Sequence, residues 1–263
     1  MNNTALPVQT LTFSFSLPQG WHDEPLSVAC RLRGALGLSL AKQCCFYDAQ
    51  HTQCETCDKR PHCHYGQMFK TPQNMQLEQQ LKVGCLPHTW SLEINQMGLL
   101  WQARLHLAGM AIAHAASWQH AIESLPFPLS WHGKTWWEED FVHQWQSATP
   151  VRLKLQGRNP KGESELAEAL VKSVVSKSKM LASMHHLDLP NTFIDAPSCT
   201  SHAWCEPKSF ECGKRISKDV AGWMVSVAWA EDTPPDWLSW LNLAFVLGVG
   251  RQTTFGLGRF VGK

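Results

Sequence analysis

At 263 residues, with 23 Lys+Arg against 22 Asp+Glu, the chain is long enough for one large domain or two small ones, and its net charge of +1 excludes a uniformly basic or acidic protein. Met1 to Gln9 has neither the basic start nor the apolar stretch of a signal peptide, and no apolar run approaches the roughly 18–20 residues of a membrane span, so the reading is cytoplasmic with no membrane partner. Thiols stay reduced there, and ten cysteines do not imply a disulfide framework. The charge is uneven: residues 151–180 carry seven basic side chains (Arg152, Lys154, Arg158, Lys161, Lys172, Lys177, Lys179) against three acidic ones (Glu163, Glu165, Glu168), an electrostatic footprint for an anionic partner on the second half.

In chain order, Val8–Leu17 alternates as a first strand, with Leu11, Phe13, Phe15 and Leu17 on one face. Pro25 opens a helix with Leu26, Ala29, Leu32, Leu36 and Leu40 along one side. Gly34 and Gly37 interrupt it at a cost of about 1 kcal/mol each, explained either by tight packing or by close approach of a ligand backbone. After a cysteine-rich insert (44–65), strands are expected at about Leu77–Cys85, Trp90–Gln96 and Leu100–Leu107, then a helix over Met110–Leu125 and a Trp-rich return, Trp131–Trp145, to the first sheet. Beyond Pro150, Val151–Leu155 alternates as a strand with Arg152 and Lys154 on its polar face. Glu163–His186 reads as a long helix with Leu166, Leu170, Val174 and Leu181 as its apolar stripe. Phe193–His202 reads as loop, Trp204–Ala230 as a hairpin, and Asp236–Leu247 as a last helix before a closing strand.

The order strand–helix–strands–helix–strand, twice, describes an α+β protein of tandem ferredoxin-like (RRM-like) units, residues 1–146 and 147–263. Two local motifs carry chemistry. Gly248-Val249-Gly250 and Gly256-Leu257-Gly258 flank five residues that include Arg251, and Arg259 follows; the glycines permit sharp turns and close backbone approach, and the arginines suit phosphate, so the loop reads as a backbone cradle for a polyanion. Cys45, Cys54, Cys57 and Cys63 place four thiols within 19 residues around a Cys-x2-Cys pair, a metal-ligand spacing. Zn²⁺ in a structural role is the first choice, and an iron–sulfur cluster accepts the same four ligands.

The glycine loop with its preceding helix, Leu241 to Phe260, resembles the C-terminal signature of CRISPR-associated RAMP proteins, most closely those that process the CRISPR precursor transcript. Leu32-Arg33-Gly34-Ala35-Leu36-Gly37 resembles the first helix of that family, the cysteine insert that of one branch, and Thr149–Lys154 the strand opening its C-terminal domain. The resemblance implies metal-independent cleavage of repeat RNA by attack of a 2′-hydroxyl on the adjacent phosphate, giving a 2′,3′-cyclic phosphate. It also implies a protein that stays on the product's stem-loop and joins other RAMP subunits. The alternatives are a non-catalytic RAMP subunit that caps guide RNA, and a metal-stapled docking module on a RAMP scaffold.

Such cleavage needs a base, an acid and cations for the phosphorane. The resemblance places a catalytic histidine directly after Arg-Gly-x-x-Gly, and here Leu38 holds that position. The candidates nearby are His51, Lys42 and Tyr47, with Arg31 and Arg33 to align the phosphate and His22 as a weaker choice; His51 also reads as a metal ligand or a surface residue, and the two arginines as a solvated helix face. For RNA binding the candidates are Gly248, Gly250, Arg251, Gly256, Gly258 and Arg259 in the loop, Arg152 and Lys154 on the strand, and Lys208, Lys214, Arg215 and Lys218 on the hairpin, which also reads as an exposed basic turn. Most of the 13 tryptophans are expected between layers, with a few available to stack on bases.

Overall fold

A computed structural model of the chain describes residues 4–45, 54, 57–59, 63–69, 80, 86–211, 217–251, 253–255 and 257–262, with the side chains of 207–211 and 217–220 outside that description. The alternation read from the first residues forms β1 (Val8–Ser16), whose Leu11, Phe13 and Phe15 are fully buried on one face. Helix α1 (Pro25–Cys44) follows, started by the Glu24 carboxylate, which accepts the Ser27 N–H at 2.8 Å, and by Pro25 in the first turn, where a missing N–H costs nothing. A short helix α2 (His64–Met68) leads towards β2 (Trp90–Met97) and β3 (Leu100–Ala108). A 3-10 turn (Gly109–His114), α3 (Ala115–Glu123) and β4 (Leu129–Trp136) complete the first unit.

The second unit repeats the pattern with β5 (Gln144–Ser147), α4 (Glu163–His185), β6 (Ser198–Glu211), β7 (Ser217–Ala228), α5 (Pro235–Leu247), a 3-10 turn (Thr253–Phe255) and β8 (Phe260–Gly262). The sheets run β2-β3-β1-β4 and β6-β7-β5-β8, each pairing antiparallel. Both place the first strand between the third and fourth, the ferredoxin-like order expected. Trp90, Trp101 and Trp118 fill the first core with Leu32, Leu36 and Leu40 of α1, while Trp145 fills the second among Trp229, Phe245 and Phe260. Tryptophan is thus mainly a layer filler here; Trp136 and Trp204 are the exposed ones.

Three expectations are corrected. Val151–Leu155 is not a sheet strand: it makes only isolated bridges, Val151 with Trp223 and Leu155 with Arg158. Val151, Leu153 and Leu155 are buried, so the alternation reports a half-buried strap; β5 already occupies the central position beside β7 and β8. Trp145 accordingly belongs to the second sheet, and β5 straddles the 146/147 division drawn from sequence. The helix expected from Met110 starts as a 3-10 turn, because Gly109 sits at φ +54 with the His185 imidazole against it, and α-helix begins only at Ala115. Gly37 is explained by packing, since a Cβ there would meet the Phe69 ring at 2.3 Å, whereas Gly34 faces open space. The expected strand Leu77–Cys85 lies outside the described residues apart from position 80.

The back of the first sheet docks on the second unit. Leu6, Val8 and Ala108 pack against Leu181, Trp237, Trp240 and Leu243, and Ser91 Oγ donates to the Val246 carbonyl at 2.8 Å. Beside this apolar contact Glu93 accepts from Arg259 Nη2 at 2.7 Å, from Asn95 Nδ2 at 2.7 Å and from His106 Nε2 at 3.2 Å, with Arg104 at 3.8 Å. Burial alone pushes this carboxyl upward, but the His106 hydrogen bond and the Arg259 charge overcome that and hold it far below its ordinary value of 4.5.

A carboxylate with a depressed folded-state pKa contributes stability that is complete above its unfolded value and is lost as the pH falls below it. Glu93→Gln and Arg259→Met are each expected to cost about 3 kcal/mol in urea unfolding at pH 7, with the double variant costing clearly less than the sum, since one buried partner then no longer strands the other. Glu93→Gln is also expected to flatten the loss of stability below pH 4.5.

Candidate nucleic-acid interface

The glycine loop leaves α5 at Leu247 and turns through Gly248, Gly250 and Gly258, all at positive φ. A Cβ on Gly258 would stand 1.8 Å from the Val249 carbonyl oxygen, and one on Gly250 would stand 2.7 Å from that of Arg152. Four of the loop's N–H groups are spent on the protein. Val249 donates to Gly258 O at 2.8 Å, Arg251 to Arg152 O at 3.1 Å, Gly258 to Pro150 O at 3.0 Å and Gly250 to Ser173 Oγ at 3.0 Å. At these four positions the backbone cradle read from sequence is corrected: the glycines let the loop close on itself and on the 150–152 strap. Gly256 lies outside the described residues.

The closed loop forms one wall of a cleft of about 900 Å³ between the units. Six cations line it: Arg33 from α1, Arg152 and Lys154 from the strap, Lys172 and Lys177 from α4, and Arg251 from the loop. Among the described lining residues there is no Asp or Glu. A concave, one-signed surface of this kind concentrates field and attracts a polyanion. Arg33 is held by its own face: its guanidinium carbon lies 4.4 Å from the Phe69 ring centre and 5.9 Å from that of Trp90. Lys177 Nζ donates to the last carbonyls of α5, Leu247 at 3.1 Å and Gly248 at 2.9 Å, and burial pulls its pKa down to about 7. Lys154 Nζ donates to Asn159 Oδ1 at 2.8 Å, and Lys172 pairs with Glu168 one turn before it.

Two family models match the sequence: an N-terminal domain family, AF_1859_N, over residues 6–126, and CRISPR-associated endoribonuclease Cas6 over residues 146–260. The second half of the chain, residues 146–260, thus matches the CRISPR-associated Cas6 endoribonucleases, of the RAMP class. The Cas6 match spans β5 to β8 and includes the strap, α4 and the glycine loop that build most of the cleft. The fold is shared with a Cas6 (TTHA0078) product complex at TM-score 0.52 and 15% identity, covering 97% of this chain and 99% of that one. A Cas6 (TTHB231) product complex gives 0.52 at 13%, covering 97% and 98%. A partial Cas6-RT-Cas1–Cas2 complex gives 0.53 at 11%, covering 98% of this chain and 46% of that one. The sequence has no match among curated proteins.

In this protein the sequence-derived site residues fall into separate groups. Arg33, Arg152, Lys154, Gly250 and Arg251 meet at the cleft. Arg31 and Lys42 do not join them: at 3.6 residues per turn, Arg31, Leu38 and Lys42 fall within about 40° of one another, and Lys42 is about 180° from Arg33. Leu38 and Lys42 are exposed there, Leu38 by 62%. His22 is exposed ahead of α1. Arg259, expected to touch RNA, is corrected. Its side chain is 12% exposed and is spent on Glu93, so it joins the units rather than the ligand. Lys208 and Lys218 lie on β6 and β7, in register with Val220 and Phe210. Lys214, Arg215, Tyr47 and His51 lie outside the described residues.

Of the expected metal ligands, Cys54 and Cys63 are buried in the first core, and Cys45 and Cys57 are half-buried. Cys63 Sγ donates to the Cys44 carbonyl at 3.5 Å. The Tyr65 phenol is pushed up to about 12, by burial first and then by the nearby Cys54, with smaller contributions from Cys45 and Cys63. Among the described residues, however, no set of three or more His, Cys, Asp or Glu is arranged to hold a metal ion. His64 instead meets Ser117 Oγ at 3.1 Å and lies tilted against the His114 ring, with centres 4.3 Å apart.

Sequence reasoning missed Lys177 and His88, both lining the cleft. Lys177 had a signal: it sits in register with Leu170, Val174 and Leu181, a charge inside an apolar stripe. His88, two residues before β2, had none.

Because positive φ and the Val249 carbonyl both exclude a side chain, Gly258→Ala is expected to cost about 3 kcal/mol and lower the melting temperature clearly. Gly34→Ala, in open space within α1, is expected to gain about 1 kcal/mol.

Proposed function

We propose that this endoribonuclease leads CRISPR repeat RNA through the basic cleft and cleaves it without a metal in the chemistry, leaving a 2′,3′-cyclic phosphate and a 5′-hydroxyl. The observation that carries the reading is the cleft itself, with six cations drawn from both units and no carboxylate among the described lining residues. Arg33 is the residue for the scissile phosphate, since stacking on Phe69 fixes its planar fork before substrate arrives, and a preorganised cation lowers the cost of phosphorane charge. Arg152 and Arg251, whose segments are tied by the Arg251 N–H to Arg152 carbonyl bond, hold neighbouring phosphates.

The β6–β7 hairpin, 14 and 12 residues long and carrying Lys208 and Lys218, lies alongside the RNA stem and keeps the product bound. Other RAMP effector subunits then meet the protein on its retained RNA. The partial Cas6-RT-Cas1–Cas2 complex supports the view that a unit of this fold works inside larger assemblies. For the insert, a structural Zn²⁺ on Cys45, Cys54, Cys57 and Cys63 is supported by the Cys-x2-Cys spacing alone and requires these thiols to stand closer together than they do here.

Incubation with the cognate repeat RNA in excess EDTA, with analysis of product ends, tests this reading. Cleavage is expected to persist with a 2′,3′-cyclic phosphate, and Arg33→Ala to slow the single-turnover rate by roughly 100-fold or more. Arg152→Ala and Arg251→Ala are each expected to weaken binding and to lower the slope of log Kd against log salt by about one. Loss of cleavage in EDTA restored by Mg²⁺, or cleavage unaffected by Arg33→Ala, overturns it.

A further inference from the structure

Among the described lining residues of the cleft, one imidazole faces these cations. His88 lines the cleft on the first-unit side, between Pro87 and the start of β2, and its ring packs against Trp90 with centres 5.8 Å apart. Its Nδ1 stands 3.3 Å from the Met68 carbonyl oxygen, at the end of α2. A carbonyl only accepts, so Nδ1 carries the ring proton and Nε2 is left with its lone pair. The same carbonyl accepts from Trp90 Nε1 at 2.6 Å, which fixes it in place and so fixes the ring. Arg33 shares these neighbours, stacking on Trp90 and on Phe69, the residue after Met68.

We propose that His88 is the general base of the cleavage, taking the 2′-hydroxyl proton on Nε2 while Arg33 holds the phosphate under attack. This rests on the reading of the cleft as the cleavage centre. In the step, the 2′ oxygen forms a bond to phosphorus as its proton passes to Nε2, and the bond from phosphorus to the 5′ oxygen breaks. The departing 5′ oxygen takes a proton from water, and the imidazolium returns its own to solvent. No oxidant, metal or further reactant is needed.

The surroundings keep the base in its working form. Burial first, and then the Arg33 charge, pull the imidazole down to about 4, with Lys177 adding in the same direction and the Met68 hydrogen bond opposing it. His88 is thus neutral across the ordinary pH range. Arg33 on α1 and Lys177 on α4 are the charges acting on it; Arg152, Lys154, Lys172 and Arg251 stand further round the cleft, and no described lining residue is acidic. An entering phosphate offsets those cations and raises the affinity of Nε2 for a proton at the moment the base is needed. This position is far in sequence from Leu38, and it supplies the histidine that α1 lacks.

Single-turnover cleavage by His88→Asn and His88→Ala, with Kd measured separately on repeat RNA carrying a 2′-deoxy group at the scissile position, tests the assignment. Asn keeps an N–H donor for Met68 in place of Nδ1 and removes Nε2. Both variants are expected to retain the wild-type Kd within about threefold and to cleave at least about 100-fold more slowly. The acid-side fall of the pH–rate profile is expected to disappear, and added imidazole to restore part of the rate in His88→Ala. Wild-type cleavage matched by both variants, with the acid limb intact, overturns the role of His88 and leaves the cleavage reading standing. A wild-type protein that binds but does not cleave overturns the cleavage reading itself, and this proposal with it. If His88→Ala melts at a lower temperature, His88→Asn decides: a slow, pH-flat His88→Asn at wild-type stability supports the base, and a fast one refutes it.

Discussion

Glu93 stands in the middle of β2 with its carboxylate turned away from the first core, towards the second unit, and Arg259 reaches it from the residue before β8. Arg259 in turn donates its backbone N–H to Thr149 Oγ1 at 3.0 Å, at the head of the strap. One ion pair therefore ties the edge strand β2 of the first sheet to the segment where glycine loop, strap and closing strand meet. A buried pair is a poor source of net stability, because desolvation offsets most of the attraction, yet it is strict about register. The apolar contact of Trp237, Trp240 and Leu243 supplies adhesion; the ion pair decides how the units sit, and with that the width and lining of the cleft.

Seen from this constraint, the glycine loop has a different task from the one its composition advertises. Four of its donors, those of Val249, Gly250, Arg251 and Gly258, are consumed by Gly258, Ser173, Arg152 and Pro150, so this part of the loop shapes the wall and positions Arg251. The same economy governs Lys177. Its ammonium caps the carbonyl end of α5, where the helix dipole favours a cation, and so serves as both fold and electrostatics. Arg33 and His88 are likewise fixed by packing on Phe69 and Trp90 rather than by flexible contacts. Preorganisation of this kind is what phosphoryl chemistry asks of a protein.

Much of the fold was legible because the signals were local. The alternation of Leu11, Phe13 and Phe15, the Pro25 start of α1 and the stripe of Leu166, Leu170 and Val174 each correspond to an element. Val151 to Leu155 misled because period-2 burial describes any extended segment with one wet face, and only the pairing of β5 with β7 and β8 shows that the sheet is already full. The lining of the cleft was legible at Arg33, Arg152 and Arg251, where motif and position coincide. It was not at Arg259, because nothing local distinguishes an arginine aimed at RNA from one aimed at a carboxylate more than a hundred residues earlier. His88 was hidden for a related reason: its value comes from the Met68 carbonyl and Arg33, neither of which is near it in sequence.

α1 carries cations on two sides, Arg33 towards the cleft and Arg31 with Lys42 on the other, and the assignment of the chemistry to the cleft side is the claim on which the rest stands. A structure of the complex with repeat RNA carrying a 2′-deoxy group at the cleavage site tests it most directly. The scissile phosphate is expected within hydrogen-bond distance of the Arg33 guanidinium, with the neighbouring 2′ position facing His88 and adjacent phosphates on Arg152 and Arg251. A scissile phosphate lying instead against Arg31, Leu38 and Lys42 contradicts it.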